Sequence, residues 1–187
     1  MPMEKIVLGA GERLEKRFVI LPGESQDILL DVTLAGEGAD FSLKGLYLCS
    51  GADKVNIDIS VHHLVGGCTS RQTVKGLASG EARVSFGGLI VVAQDAQKTE
   101  AYQENHNILL SEKADIQTRP QLEIYADDVK CSHGATIGRL NDDELFYMRS
   151  RGIPEADARA LQMLSFLSPV MDESRREEIE AAIFNML

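Results

Sequence analysis

From Glu4 to Ile137, apolar and polar side chains alternate in run after run. Ile28, Leu30, Val32 and Leu34 interleave with Asp27, Leu29, Asp31 and Thr33, and Val55, Ile57, Ile59, Val61 and His63 interleave with Asn56, Asp58, Ser60 and His62. Successive strand residues point to opposite faces, so a period of two marks strands with one buried and one wet face. Phe41, Leu43 and Tyr47 continue the pattern, as do Val84 and Phe86, then Leu122 and Ile124. Turn residues separate the runs at Gly9-Ala10-Gly11, Pro22-Gly23, Gly36-Glu37-Gly38, Ser50-Gly51, Gly66-Gly67 and Ser79-Gly80. Spacings of about 12 to 15 residues hold one strand and one turn, with no room for a crossover helix. An all-β body is therefore expected. Sandwich, barrel and β-helix all satisfy the pattern, and no strict repeat singles out a regular solenoid.

After Leu140 the period changes. Asn141 is placed to N-cap a helix, with Glu144 completing a capping box. That helix runs through Arg151 and stops at Gly152, which suits a left-handed C-terminal position. Pro154 opens a second helix, where its missing N–H costs nothing. Ala158, Leu161, Leu164 and Leu167 form its stripe, ended by Pro169. Asp172 caps a third helix, with Glu173 and Glu177 near its positive end and Ile179, Ile183 and Met186 along one side. The sequence thus predicts a β core over residues 1–140 and a helical subdomain over 141–187, with no linker between them.

Composition narrows the function. The 187 residues suffice for one good core. A net charge of −10 argues against a nucleic-acid groove or an anionic membrane surface as partner. No apolar run approaches the roughly 20 residues a bilayer span needs. The start lacks a basic stretch followed by an apolar one, so cytoplasmic localisation is expected. Residues 141–187 hold ten acidic and five basic side chains, an excess that would steer a basic partner surface. No glycine-rich phosphate loop occurs, so any nucleotide belongs to a partner. Cys49, Cys68 and Cys131 are too few for a disulfide framework, and none forms a C-x-x-C pair.

The candidate chemistry lies between Leu122 and Gly138. Val129, Cys131, His133, Ala135 and Ile137 occupy alternate positions, so in a strand a thiol and an imidazole share one face. Soft sulfur with imidazole nitrogen suits iron, zinc or an iron–sulfur cluster. Two donors are half a site at best, and the competing reading is a buried apolar thiol beside a satisfied histidine. Strand residues i and i+2 have Cα atoms roughly 6.5–7 Å apart, which disfavours a nucleophilic dyad and is compatible with bridging a metal. Asp127 and Asp128 point to opposite faces and read as a solvated turn. His62 and His63 likewise split between faces and read as structural. His106 sits between Asn105 and Asn107, with metal ligation there a minor reading. Cys49 ends an apolar strand and reads as core, whereas Cys68, after two glycines, is expected to be exposed. A β-helix enzyme acting on acidic polysaccharide would want a row of converging carboxylates and basic residues, and no such row is found.

Several stretches together carry a resemblance. These are Gln103-x-Asn105-x-Asn107 with Leu109-Leu110-Ser111, Pro120-x-Leu122-Glu123-Ile124, Asp127-Asp128-Val129, Cys131-Ser132-His133-Gly134-Ala135-Thr136, Leu145-Phe146-Tyr147 and Ser150-Arg151-Gly152-Ile153. In this order and spacing, Ala101 to Ile153 resembles the C-terminal half of the SufB/SufD family, the scaffold subunits of the SUF iron–sulfur cluster assembly machine. Upstream, Phe86-Gly87-Gly88 with Ile90-Val91-Val92 still fit. The resemblance implies a flattened right-handed parallel β-helix followed by a small helical domain. It implies a scaffold rather than an enzyme, a SufC-like ABC-type ATPase docked on the C-terminal helices, and sulfur arriving from a cysteine desulfurase. It also implies pairing through the β-helix end, either as a homodimer or with a SufB-like second scaffold subunit. By position, Cys131 and His133 fall on the cysteine and histidine that members present near that interface, where a transient cluster forms. Gly134 looks more like the SufD side than the SufB side. Typical members are longer, with an N-terminal helical region and more β-helix turns.

Overall fold

The computed structural model describes residues 2–187. Ten strands follow one another: β1 (Glu4–Leu8), β2 (Arg13–Ile20), β3 (Asp27–Leu34), β4 (Asp40–Cys49), β5 (Lys54–His63), β6 (Thr69–Ala78), β7 (Arg83–Val92), β8 (Glu100–Leu109), β9 (Asp115–Ile124) and β10 (Lys130–Gly138). Odd strands pair only with odd strands, in the order β1-β3-β5-β7-β9, and even strands form the facing sheet β10-β8-β6-β4-β2. Every pairing is parallel. The chain therefore changes sheet at each turn and winds into a β-helix of about five coils. That decides among the three architectures left open by the pattern. Coil lengths differ: Arg13 lies opposite Asp40, Asp40 opposite Thr69, Thr69 opposite Glu100 and Glu100 opposite Lys130. This unevenness explains why no strict repeat shows in the sequence.

The corner that leads into the even-numbered strands carries a left-handed residue at the same place in the first four coils. Gly11, Gly38 and Gly67 supply it with φ of 68°, 73° and 68°, and in the next coil Lys98 adopts φ 59°. Inside, Phe41, Leu43, Ile57, Ile59, Val61 and Phe86 close the core of the early coils. Cys49 is part of that core, and burial, followed by the charge of Asp53, pushes its thiol up to about 12. Cys68 departs from expectation. It is fully buried, its Sγ 3.2 Å from the carbonyl oxygen of Gly36 in the neighbouring coil. Its two glycines mark a corner, and corners stack on one another in a solenoid.

His63 points inward and is fully buried, with Nε2 2.9 Å from Ser70 Oγ. Burial, and then the charge of His62, pull its pKa down to about 4. The unfolded chain takes up this proton near pH 6.5, so stability is full above that pH, falls as pH drops towards 4, and is flat below. The loss expected is on the order of 3 kcal/mol. Urea unfolding at pH 7 and pH 4.5 measures it, and His63→Gln is expected to flatten this part of the slope.

Three helices follow: α1 (Asp142–Ser150), α2 (Glu155–Leu167) and α3 (Arg176–Asn185). α2, α3 and the turn between them pack on the outer face of the even-strand sheet, with Ala160, Met163, Leu167, Val170, Ile179 and Ile183 against Leu46, Leu48, Leu77 and Ile108, while α1 lies against α2. Leu46 to Cys49 is therefore buried on both faces, and the alternation gives way there to an unbroken apolar run. Asn141 caps α1 as expected, accepting from the N–H groups of Asp143 and Glu144. Glu144 does not close the capping box; Gln162 Oε1 accepts the Asn141 N–H at 3.0 Å instead. Gly152 takes the left-handed position at φ 87°. Pro154 stands one place earlier than expected, as the N-cap residue of α2. Asp172 caps a short 3-10 turn, Glu173–Arg175, that leads into α3. In α2 the buried side is Ala158, Ala160, Met163 and Leu167, leaving Leu161 of the expected stripe half exposed.

Candidate metal-ligand site at the open end of the solenoid

The last coil, β9 and β10, has a neighbour on one side only. β9 pairs with β7 and β10 with β8, and among the described residues no further strand lies beyond them. On β10, Cys131 lies opposite Ala101, His133 opposite Gln103, Ala135 opposite Asn105 and Ile137 opposite Asn107. These four residues of β8 are buried, so the β10 row continues the solenoid's inward-facing row. On the facing wall, Ile116, Thr118, Pro120, Leu122 and Ile124 of β9 stack on Val84, Phe86, Gly88, Ile90 and Val92. Side chains that would be core in an inner coil are thus left partly uncovered. Ile124 and Ile137 are 40% and 43% exposed, His133 is exposed and Cys131 is half-buried.

Cys131 and His133 share a face, as the period of two requires. Cys131 packs at the margin of a small cluster formed by Ile90, Val92, Ala96, Ala101 and Ala126. Burial raises its thiol pKa, and a hydrogen bond from the Ala101 backbone partly offsets the rise. Asp127 and Asp128 are exposed in the turn before β10. His62 faces outward, 3.4 Å from Asp31. His106 also faces outward, with Nδ1 2.9 Å from Thr136 Oγ1. Among the described residues, no group of three or more His, Cys, Asp or Glu side chains is placed to hold a metal. The open end of one chain therefore offers two donors.

Behind those donors lies a buried polar ladder that local pattern reading largely missed. Gln103 Nε2 donates to Gln72 Oε1 at 2.9 Å. Asn107 Nδ2 donates to Asn105 Oδ1 at 2.8 Å and to the backbone oxygen of Thr136 on β10 at 3.0 Å. The Tyr47 hydroxyl donates to Asn107 Oδ1 at 2.5 Å, reaching past Gly76, whose absent Cβ would lie 2.0 Å from the ring. Gln103, Asn105 and Asn107 stand in the sequence only as part of the stretch that carries the family resemblance, and Gln72 carries no local signal, although all four occupy the inward phase of their strands.

A second surface feature is a cleft of about 720 Å³ where α1 and α2 meet β8, lined by Ile108, Leu140, Tyr147, Met148, Leu161 and Phe166 among others. Phe146, 74% exposed, stands on α1 beside Tyr147, 59% exposed. Asp143 and Glu144, set against Arg139, leave the rim with a net negative charge. No helix is long and apolar enough to cross a membrane among the described residues.

Comparison with known proteins places this arrangement. Residues 4–166 match the family described as SUF system FeS cluster assembly, SufBD core domain. The chain is 40% identical over 150 residues to the iron-sulfur cluster assembly protein SufD of Escherichia coli (strain K12), covering 80% of this chain and 36% of that protein. It is 41% identical over 186 residues to Protein ABCI7, chloroplastic, of Arabidopsis thaliana, covering 91% and 39%. With the SufBD family protein Rv1462 of Mycobacterium tuberculosis it shares 31% over 188 residues, covering 94% and 47%. The chain spans less than half the length of each of these relatives. Sequence match and parallel solenoid agree: this chain belongs to the SufB/SufD family of the SUF iron–sulfur cluster assembly system, and within it is SufD-like.

Proposed function

We propose that this chain is a scaffold component of iron–sulfur cluster assembly, presenting Cys131 and His133 to iron or a nascent cluster at an interface with a second scaffold subunit. The observation that carries this is the open last coil, where a thiol and an imidazole sit on the inward row of a strand whose other edge is unpaired. Free strand edges and uncovered apolar rows favour a partner. Pro120 lacks an N–H, which leaves β9 the poorer edge for strand addition and β10 the better. Two half-sites related by a two-fold axis would supply two sulfur and two nitrogen ligands, enough for a small cluster. The cluster is cargo, held in transit. Cys131 binds iron as thiolate, so loading releases its proton. The second subunit is either another copy or a SufB-like chain, and sulfur comes from a cysteine desulfurase.

Anaerobic reconstitution with iron and sulfide tests the assignment. Cys131→Ala and His133→Ala are each expected to weaken iron retention by at least about tenfold. Cluster absorbance equal to wild type in both variants overturns it.

The cleft beside α2 favours a second role, docking of a SufC-like ABC-type ATPase, which would bring the nucleotide. An apolar groove with aromatic residues at its edge and an acidic rim suits a partner of opposite charge. Phe146→Asp and Leu161→Asp alter exposed residues and are expected to leave stability within about 0.5 kcal/mol. Retention of a SUF-type ATPase in a pull-down should fall by about tenfold or more. An adaptor that carries no cluster would show this loss while Cys131→Ala changed nothing in reconstitution.

A further inference from the structure

Behind His133 the two buried glutamines are hydrogen-bonded with the donor pointing away from the open end. Gln72 on β6, Gln103 on β8 and His133 on β10 are successive members of one inward row. Both glutamines are 1% exposed, and Gln103 Nε2 donates back to Gln72 Oε1. Gly88 on the facing wall makes room for the Gln103 amide: a Cβ there would lie 2.2 Å from Gln103 Oε1. That Oε1 is buried without a hydrogen-bond partner. An orphaned buried acceptor is costly and rare in folded proteins. The next side chain along the row is one strand spacing away, about 4.8 Å, and it is an imidazole. With Gln103 donating to Gln72, its Oε1 is left for a donor on the β10 side, and an imidazole N–H at His133 would supply one.

We propose that Gln103 is the positioning residue for His133, its Oε1 accepting one imidazole N–H. A neutral imidazole has one N–H and one lone pair. The group that takes the N–H selects the tautomer and decides which nitrogen faces the open end as a donor. For its purpose this rests on the reading of His133 as a ligand. The proposed hydrogen bond needs no metal, so it is tested in the metal-free chain.

The test is two-bond 1H–15N spectroscopy of the full, metal-free chain labelled in its histidine rings, at pH 8. Wild-type His133 is expected in a single tautomer, with one ring nitrogen at the protonated and the other at the unprotonated extreme. Gln103→Met should move both signals towards the averaged values of a free imidazole, while His62 and His106 stay where they are. Gln103→Glu, which keeps an acceptor oxygen, should retain the single tautomer. Averaged tautomers in the wild type overturn the proposal and need no variant to fold. A single tautomer that survives Gln103→Met also overturns it. Loss of iron binding with the tautomer intact bears on the ligand reading alone.

Discussion

Gly36→Ala is expected to destabilise the fold by about 3 kcal/mol or more, the upper end for overpacking. Gly36 follows β3 at a corner and is held from both sides. Its N–H donates to Leu8 O at 3.1 Å in the coil before, and its carbonyl oxygen accepts from Cys68 Sγ in the coil after. An alanine Cβ would lie 1.9 Å from Ala10 N, 2.2 Å from Gly9 C and 2.5 Å from Ala10 Cα. All three are backbone atoms, so no side chain can swing aside. The corner must open or the coils must separate. Gly38→Ala is the control: its left-handed φ of 73° carries a cost of about 1–2 kcal/mol, but a Cβ there meets nothing within 4 Å. Urea unfolding of both variants checks the order. A Gly36→Ala loss no greater than that of Gly38→Ala would mean the coils do not approach as described.

Asn107→Leu is the second large effect expected, about 2–4 kcal/mol, because it breaks a satisfied buried network at similar side-chain volume. The substitution orphans the Tyr47 hydroxyl and Asn105 Oδ1, and it removes the side-chain bond to Thr136 O. That last bond ties the ladder to β10, the strand carrying Cys131 and His133. Denaturation should therefore show the stability loss, and hydrogen exchange should show faster opening of β10 than of β4 or β6. Tyr47→Phe removes one bond of the same network and is expected to cost about 1 kcal/mol. Uniform acceleration across all strands would show that Asn107 stabilises the solenoid generally and does not anchor its last coil.

Legibility followed the range of the forces involved. Ile57, Ile59 and Val61 announce a strand through contacts two residues apart, and Asn141 announces a helix start through bonds two and three residues on. Stacking order is not local. Gln72 and Gln103 are 31 residues apart, and nothing near either shows that they meet. A sandwich and a β-helix can share the same local pattern and differ only in such pairings, so the choice between them came from family resemblance. The stripe of α2 held at Ala158, Leu164 and Leu167, but Leu161 is left half exposed and Ala160 and Met163 are buried instead, because the buried face is set by distant Leu46, Leu48 and Leu77. Cys68 was misplaced for the same reason, its cover being the stacked corner at Gly36. For the site, period two put Cys131 and His133 on one face. Their lying on the solenoid's last and uncovered rung is a property of the whole fold.

Sharing of Cys131 and His133 between scaffold subunits is what the proposed function requires. Native mass spectrometry after anaerobic loading with iron and sulfide tests it most directly, on the chain alone and mixed with a SufB-like subunit. Iron and sulfide are expected only on species containing two scaffold chains, and not on the Cys131→Ala, His133→Ala double variant. Iron and sulfide carried by a single chain, or retained by the double variant at the wild-type level, would contradict the account.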